Sequence, residues 1–349
     1  MVTTMFFVPV DKEYLGYFDF KTLTCLFCVL AVVCALKNIN FFYILAKRIV
    51  RKFGNLRLCI IALIYITFIG SMLIANDMAL LTFLPLGFFV LDTTSKKEYM
   101  AFTFIMQNIA ANLGGMLTPF GNPQNLYLYT KYNIPTLEFM HIMLLPFVIS
   151  IAMITLCCII FVKPEKLIID NDNEGFEPKR TVLYLILFAL SIAIVFRGIP
   201  YFIGLIIIPA VLIFADTKAL KMVDYPLLGT FAAFFVFSSN MARIEPVRVL
   251  LSSLLEKSTL IFSTLSCQFI SNVPSAILLS QFTGNYTALL VGVNIGGVGT
   301  LISSLASLIT FREYTKHNPQ KSIQYIGTFS AFNFSFLTLL TGAEMLLLY

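Results

Sequence analysis

Tryptophan is absent from the 349 residues, histidine occurs only twice, and acidic and basic residues together make up 12%. That charged fraction is about half the ~25% of a soluble protein. The apolar fraction is 58% before glycine is counted, and no single soluble core can hide that much apolar side chain at this length. These deficits exclude a soluble enzyme, a disordered chain and a nucleic-acid binder. Without tryptophan, any interfacial aromatic belt is built from tyrosine and phenylalanine. No basic stretch opens the chain as in a secretory leader, so no cleaved signal peptide is expected. The seven cysteines lie almost entirely within apolar runs. Cys25-x-x-Cys28 has no second pair and no nearby histidine, so the cysteines are read as small buried hydrophobes. Nucleophile–base pairs and metal-ligand clusters are missing, and Gly296-Gly-Val-Gly299 is not followed by the Lys-Ser/Thr of a P-loop. What remains is an all-α polytopic membrane protein whose net charge of +6 belongs to loops beside anionic lipid.

A bilayer core of ~30 Å takes about 20 helical residues. Thr22–Leu36 is a short first span, and the basic, apolar stretch Asn38–Arg57 reads as an interfacial amphipathic segment. Leu58–Leu91 carries no charge except Asp77. As one helix it would reach about 51 Å, so it folds back as a hairpin with Asn76-Asp77 at the tip. Tyr99–Thr130 is uncharged, but Gly114, Gly115, Pro119, Gly121 and Pro123 break its second half within the membrane. Phe139–Val162, Thr181–Phe196, Gly198–Ala215 and Tyr225–Ala242 are further spans, Lys163–Arg180 is a polar, acidic-rich loop, and Arg243–Lys257 is short and amphipathic. Ser258–Phe311 is uncharged throughout, enough for a second hairpin near Asn272-Val273-Pro274 and a second span broken after Asn294. Ser322–Ala343 is the last span.

The two halves superpose in sequence. Asn112, Gly114-Gly115, Thr118 and Leu126 coincide with Asn294, Gly296-Gly297, Thr300 and Leu308, and Gly121, Asn122 and Asn125 fall on Ser303, Ser304 and Ser307. Asn76 falls on Asn272. This divides the chain into an N-terminal stub (1–16), a first repeat (17–135), connecting helices (136–221), a second repeat (222–317) and a C-terminal helix (318–349). Five crossings separate the repeats, so the second enters from the opposite side, the inverted topology of secondary transporters. With the 38–57 loop inside, 17 of the 24 basic residues are cytoplasmic, the sense the positive-inside rule requires. A plasma (inner) membrane location, with eight crossings and two hairpins, is expected.

The runs Asn76-Asp77-Met78-Ala79, Gly114-Gly115…Gly121-Asn122-Pro123-Gln124-Asn125, Ser271-Asn272-Val273-Pro274 and Asn294-Ile-Gly-Gly…Ser303-Ser304-Leu-Ala-Ser307 resemble the ion transporter superfamily. They look most like its arsenite permease and NhaD-type antiporter branch, with citrate–metal and divalent-anion/sodium transporters as more distant relatives. The resemblance implies re-entrant hairpins and unwound helices cradling a substrate, a scaffold and a transport domain with elevator-like access, and a homodimer. Two departures stand out. A further span usually precedes the segment matching Asp19-Phe20-Lys21-Thr22-Leu23, where here Phe6-Phe7-Val8-Pro9 looks like its stub, and Val273 stands where the first hairpin has Asp77.

A broken helix offers an anion free backbone N–H groups and a partial positive charge, with Asn, Ser and Thr as neutral donors. Thr118, Gly121, Asn122 and Asn125, with Asn294, Thr300, Ser303, Ser304 and Ser307, have this composition twice. One copy alone would read equally as a helix-packing face. Asn76 and Asn272 either cap the second hairpin arms or touch the ligand. Asp77, the one carboxylate within the apolar runs, is a candidate coupling site for H⁺ or Na⁺, or a cap facing water. Arg197, Arg243, Glu245, Glu344 and His141 lie near span ends and read as interfacial. The leading expectation is a secondary transporter of a small inorganic or organic anion, without a cofactor and coupled to H⁺ or Na⁺. The alternatives are a Na⁺/H⁺ antiporter and a non-transporting membrane subunit or enzyme.

Overall fold

The computed structural model describes residues 2–166 and 175–348, all of them helix, turn or connection apart from one isolated bridge between Asn55 and Lys166. The acidic centre of the 163–180 loop, residues 167–174, lies outside the described residues.

A short helix α1 (Val2–Met5) and a 3-10 turn at Lys12–Tyr17 form a strap rather than part of a span. Then α2 (Phe20–Asn38) starts at Asp19, whose carboxylate accepts from Thr22 N at 3.0 Å and so takes one orphan donor of the first turn. Asn40, at φ 54°, turns the chain into the amphipathic α3 (Phe41–Val50), which buries Phe42, Ala46 and Val50 along one face.

The first hairpin is α4 (Leu56–Ile74) and α5 (Asn76–Thr93), reversing at Ala75 with φ 66°. The broken span follows as α6 (Met100–Gly114), a turn at Gly115–Leu117, an extended stretch, and α7 (Pro123–Lys131). Next come α8 (Thr136–Phe161), α9 (Pro178–Val195), α10 (Tyr201–Ala215) and α11 (Thr217–Lys221). The helix α12 (Tyr225–Arg243) meets α13 (Glu245–Lys257) at 95°. The second hairpin is α14 (Thr259–Ile270) and α15 (Asn272–Leu279), reversing at Ser271 with φ 73°. The second broken span is α16 (Tyr286–Ile295) and α17 (Leu305–His317), and α18 (Ser322–Leu348) closes the chain.

Both hairpins and both breaks thus fall where the polar and Gly/Pro residues interrupt the apolar runs. Among the described residues, five helices are long and apolar enough to cross a membrane, or six if the bent α12–α13 pair is one span. Each piece of the two broken spans is too short to pass that test by itself, and α4, which passes it, is one arm of the first hairpin.

Burial separates centre from rim. The most apolar window of α2 is 72% buried, against 22% for α8 and 28% for α9 and α18, so the latter three present most of their surface to lipid. The helices group by contact: α2 packs on α9, α10 and α11, while α4, α5, α6 and α17 pack together, as do α14, α15 and α16. Each broken helix presses on the first arm of its own hairpin through a glycine. A Cβ on Gly114 would lie 2.2 Å from the Phe68 carbonyl oxygen, and one on Gly296 2.8 Å from Cys267.

The N-terminal strap is pinned to the far end of α12. Arg243 donates to Asp11 at 2.6 Å and to the Tyr17 hydroxyl at 2.8 Å, and buried Asn240 donates to Thr4 and Tyr14. Val8, Tyr14 and Val236 form a small apolar cluster beneath these bonds.

Candidate functional site

The two hairpin tips repeat the same bonds. Asn76 N donates to Gly121 O at 3.2 Å, and Asn272 N donates to Ser303 O at 2.9 Å. The Thr118 hydroxyl donates to Met72 O at 2.8 Å, and the Thr300 hydroxyl to Gln268 O at 3.0 Å. At each tip the asparagine oxygen accepts from the next backbone N–H, Asp77 in one case and Val273 in the other, both at 2.9 Å. A broken helix inside a bilayer must find partners for its freed carbonyls and N–H groups within the protein, and these bonds supply several of them.

Between the broken spans lies a buried amide network. Asn294 Oδ1 accepts from Asn122 at 3.1 Å and from Gln124 at 3.4 Å, while its amide donates to Asn125 Oδ1 at 2.6 Å. Asn125 also donates to the carbonyls of Gly115, Met116 and Thr118. Asn112 Oδ1 accepts from Asn76 at 3.2 Å, tying the first tip to the network.

In front of this network is a cavity of about 310 Å³. Its wall includes Asn76, Asp77, Gln124, Asp224, Asn272 and Val273. Five helices begin on it or beside it: α5 at Asn76, α7 at Pro123, α12 at Asp224, α15 at Asn272 and α17 at Leu305. Each N-terminus carries roughly half a positive charge. Asp77 and Asp224 are the charged side chains on the wall, and among the described residues no Lys, Arg or His lines it. Asp77 Oδ1 is buried without a hydrogen-bond partner among the described residues. Gln124 Oε1 and Asn122 Oδ1 are in the same condition.

Of the twelve residues singled out in the sequence, Asn76, Asp77 and Asn272 stand on the cavity wall. Thr118, Gly121, Asn122, Asn125, Asn294, Thr300, Ser303, Ser304 and Ser307 sit behind it. Ser303 donates to Gly297 O at 2.9 Å, and Ser304 accepts from Ser307 N at 3.2 Å as the cap of α17. Four residues escaped notice. Asp224 looked like a span opener and is the N-cap of α12, accepting from Leu227 N at 2.9 Å, while also facing the cavity. Gln124 lay inside a quoted motif without being singled out. Asn112 was visible as the repeat mate of Asn294. Gln268, which accepts from Thr300 N at 2.9 Å and donates to Gly296 and Val298 carbonyls, has Met72 as its mate and so gave no repeat signal.

A citrate transporter family model matches residues 1–288. An uncharacterized transporter of Methanocaldococcus jannaschii is 34% identical over 295 residues, 84% of this chain and 81% of that protein. The inner membrane protein YbiR of Escherichia coli K12 is 28% identical over 320 residues, 88% of this chain and 83% of its own length. The superfamily indicated by the motifs is therefore the one matched, through its citrate transporters.

Proposed function

Because the chain belongs to the citrate transporter family, we propose that it is a secondary active transporter of a small anion, bound at the cavity between the hairpin tips and coupled to H⁺ or Na⁺ at Asp77. The observation that carries this reading is the convergence of five helix N-termini on one cavity that also holds an unpartnered carboxylate oxygen. Anions are stabilised by such termini, and a carboxylate at membrane depth is stable once a proton or cation neutralises it. A volume of about 310 Å³ is at the small end of the ~300–1,000 Å³ range of ligand pockets, which suits phosphate, arsenite or a di- or tricarboxylate.

The inverted repeat and elevator-like access belong to the same proposal. Asn38, at the end of α2, bonds Asp216, the N-cap of the short α11 that precedes α12. Arg243, at the end of α12, instead bonds Asp11 in the strap that precedes α2, and it shares a cavity wall with Asp19 and Lys21 at the start of α2. The two repeat-opening helices therefore run in opposite directions, which supports the inversion. The hairpins and broken helices form the moving body, and α2 with α9–α11 the scaffold. The ion pairs support the sidedness. Lys96–Glu165 joins residues expected inside, and Arg243–Asp11 joins residues expected outside. A homodimer in the plasma (inner) membrane completes the proposal.

A second reading, a Na⁺/H⁺ antiporter, is favoured by one observation: Asp77 and Asp224 both face the cavity. Purified protein in liposomes separates the two. Gradient-driven accumulation of citrate, phosphate or arsenite under an imposed pH or Na⁺ gradient supports the anion transporter. Na⁺/H⁺ exchange without uptake of any of these overturns it.

A further inference from the structure

A second cavity, of about 600 Å³, lies at the other end of the same helices. Lys21, Lys131, Ser239, Arg243 and Gln281 line it together with the strap, and it shares no lining residue with the cavity that holds Asp77. The material between the two is thin. Along α12, Thr230 faces the Asp77 cavity and Phe235 the second one, about 7.5 Å apart at 1.5 Å per residue. Along α7, Gln124 faces the first and Tyr127 the second, about 4.5 Å apart.

Three rings fill that gap. Phe231 is 0% exposed, and Phe235 and Tyr127 are each 2% exposed. The Tyr127 and Phe235 ring centroids are 5.6 Å apart, and those of Phe231 and Phe235 are 6.1 Å apart. The rings belong to different parts of the molecule. The Tyr127 hydroxyl is hydrogen-bonded to the Ser280 hydroxyl at 2.8 Å, and Tyr132 donates to Ser280 O and Thr283 O, which fixes α7 to the second hairpin. Phe231 and Phe235 are carried by α12. The Tyr127–Phe235 contact carries no hydrogen bond of its own, so the rings themselves part without unpairing a polar group. The Arg197–Tyr129 O bond, at 2.7 Å, is the polar contact that a slide of α7 past the α9–α10 connection breaks.

We propose that Tyr127, Phe231 and Phe235 form the gate that seals the Asp77 cavity from the Lys131-lined cavity, and that their ring contact is the element which parts when access changes sides. This rests on the transporter reading. An apolar constriction of this kind excludes water and ions by dewetting while costing little to open.

The test is thiol accessibility in liposomes, in a background lacking the native cysteines. Thr230→Cys reports on the Asp77 cavity and Ser239→Cys on the second one. A charged, membrane-impermeant methanethiosulfonate is applied from the Lys131 side. It should modify Ser239→Cys readily in every background, and Thr230→Cys slowly. Adding Phe235→Ala should speed modification of Thr230→Cys about tenfold or more, whereas Phe234→Ala, on the neighbouring face, should not. Should Phe235→Ala fail to fold, Phe235→Leu keeps an apolar side chain there and should give a smaller increase in the same direction. An unchanged Thr230→Cys rate in folded Phe235→Ala protein, or an equal increase with Phe234→Ala, overturns the gate. Labelling requires no substrate, so an absence of anion uptake by the native protein would overturn the transporter reading and leave this result standing.

Discussion

Asp77 shares a buried oxygen without a partner with Asn122 and Gln124, but of the three only Asp77 is a carboxylate, and Asn76 beside it is bonded through both its amide and its oxygen. On the proposed coupling role, the carboxylate is neutralised by a proton or cation in at least one transport state. Asp77→Asn keeps the shape and removes the ionisation. The variant should fold and insert, lose most accumulation driven by a pH or Na⁺ gradient, and retain exchange at equal concentrations. Native gradient-driven uptake by this variant would move the coupling site elsewhere. Asn294 makes a complementary case. Replacing it with leucine strips partners from Asn122, Gln124 and Asn125 at once, and buried amides left unpaired cost about 2–4 kcal/mol together. A lowered midpoint in thermal unfolding checks this. These residues mark the limit of what was legible. Polar side chains in apolar runs announce a site, but a threonine that staples a broken helix and an asparagine that lines the cavity look alike in sequence. Thr118 and Thr300 bond backbone carbonyls, and only the fold distinguishes them from Asn76 and Asn272.

Elements were legible wherever one residue type contradicted its surroundings. Asn76-Asp77 within an uncharged run places a reversal, and the structure turns at Ala75. Gly and Pro after Asn112 place the break, and α6 ends at Gly114. The strap was not legible as such. Phe6-Phe7-Val8-Pro9 resembles a span, yet its fate is decided by Asn240 and Arg243, more than two hundred residues away. Removing that anchor with Arg243→Ala should expose residues 2–17 to limited proteolysis while leaving the helices intact. Its pH dependence has a definite sign. The Arg243 guanidinium holds the Asp11 carboxyl below its ordinary value of 3.8, so the attachment is fully present above that value. It is lost only as pH falls through the lowered one. Proteolytic protection of the strap should therefore be flat across neutral pH and fail only under strong acid.

For the molecule as a whole, the proposed sidedness is open to a direct test. Gly175 and Gly284 both have open space around them, and the proposed topology puts the first inside and the second outside. Cysteines at these two positions should be labelled by an impermeant reagent from opposite sides only. Labelling of both from one side would refute the inverted arrangement. The order of spans could be read from composition, because hydrocarbon thickness sets a length. The grouping of helices could not, since lipid-facing and protein-facing apolar surfaces have the same composition. Only burial separates α2 from α8, α9 and α18.

The hydrogen bond between Asn122 and Asn294 joins residues 172 positions apart. A ribosome adding about 5–20 residues per second needs roughly ten to thirty seconds to cover that interval. For all of that time the first broken helix is already made and its counterpart does not yet exist. The Asn122 and Asn125 amides meanwhile have carbonyls of their own repeat to bond, whereas the Gln124 amide and Asn125 Oδ1 wait for Asn294. A chain stopped after α12 therefore keeps most of the first break's own bonds and lacks those that Asn294 supplies.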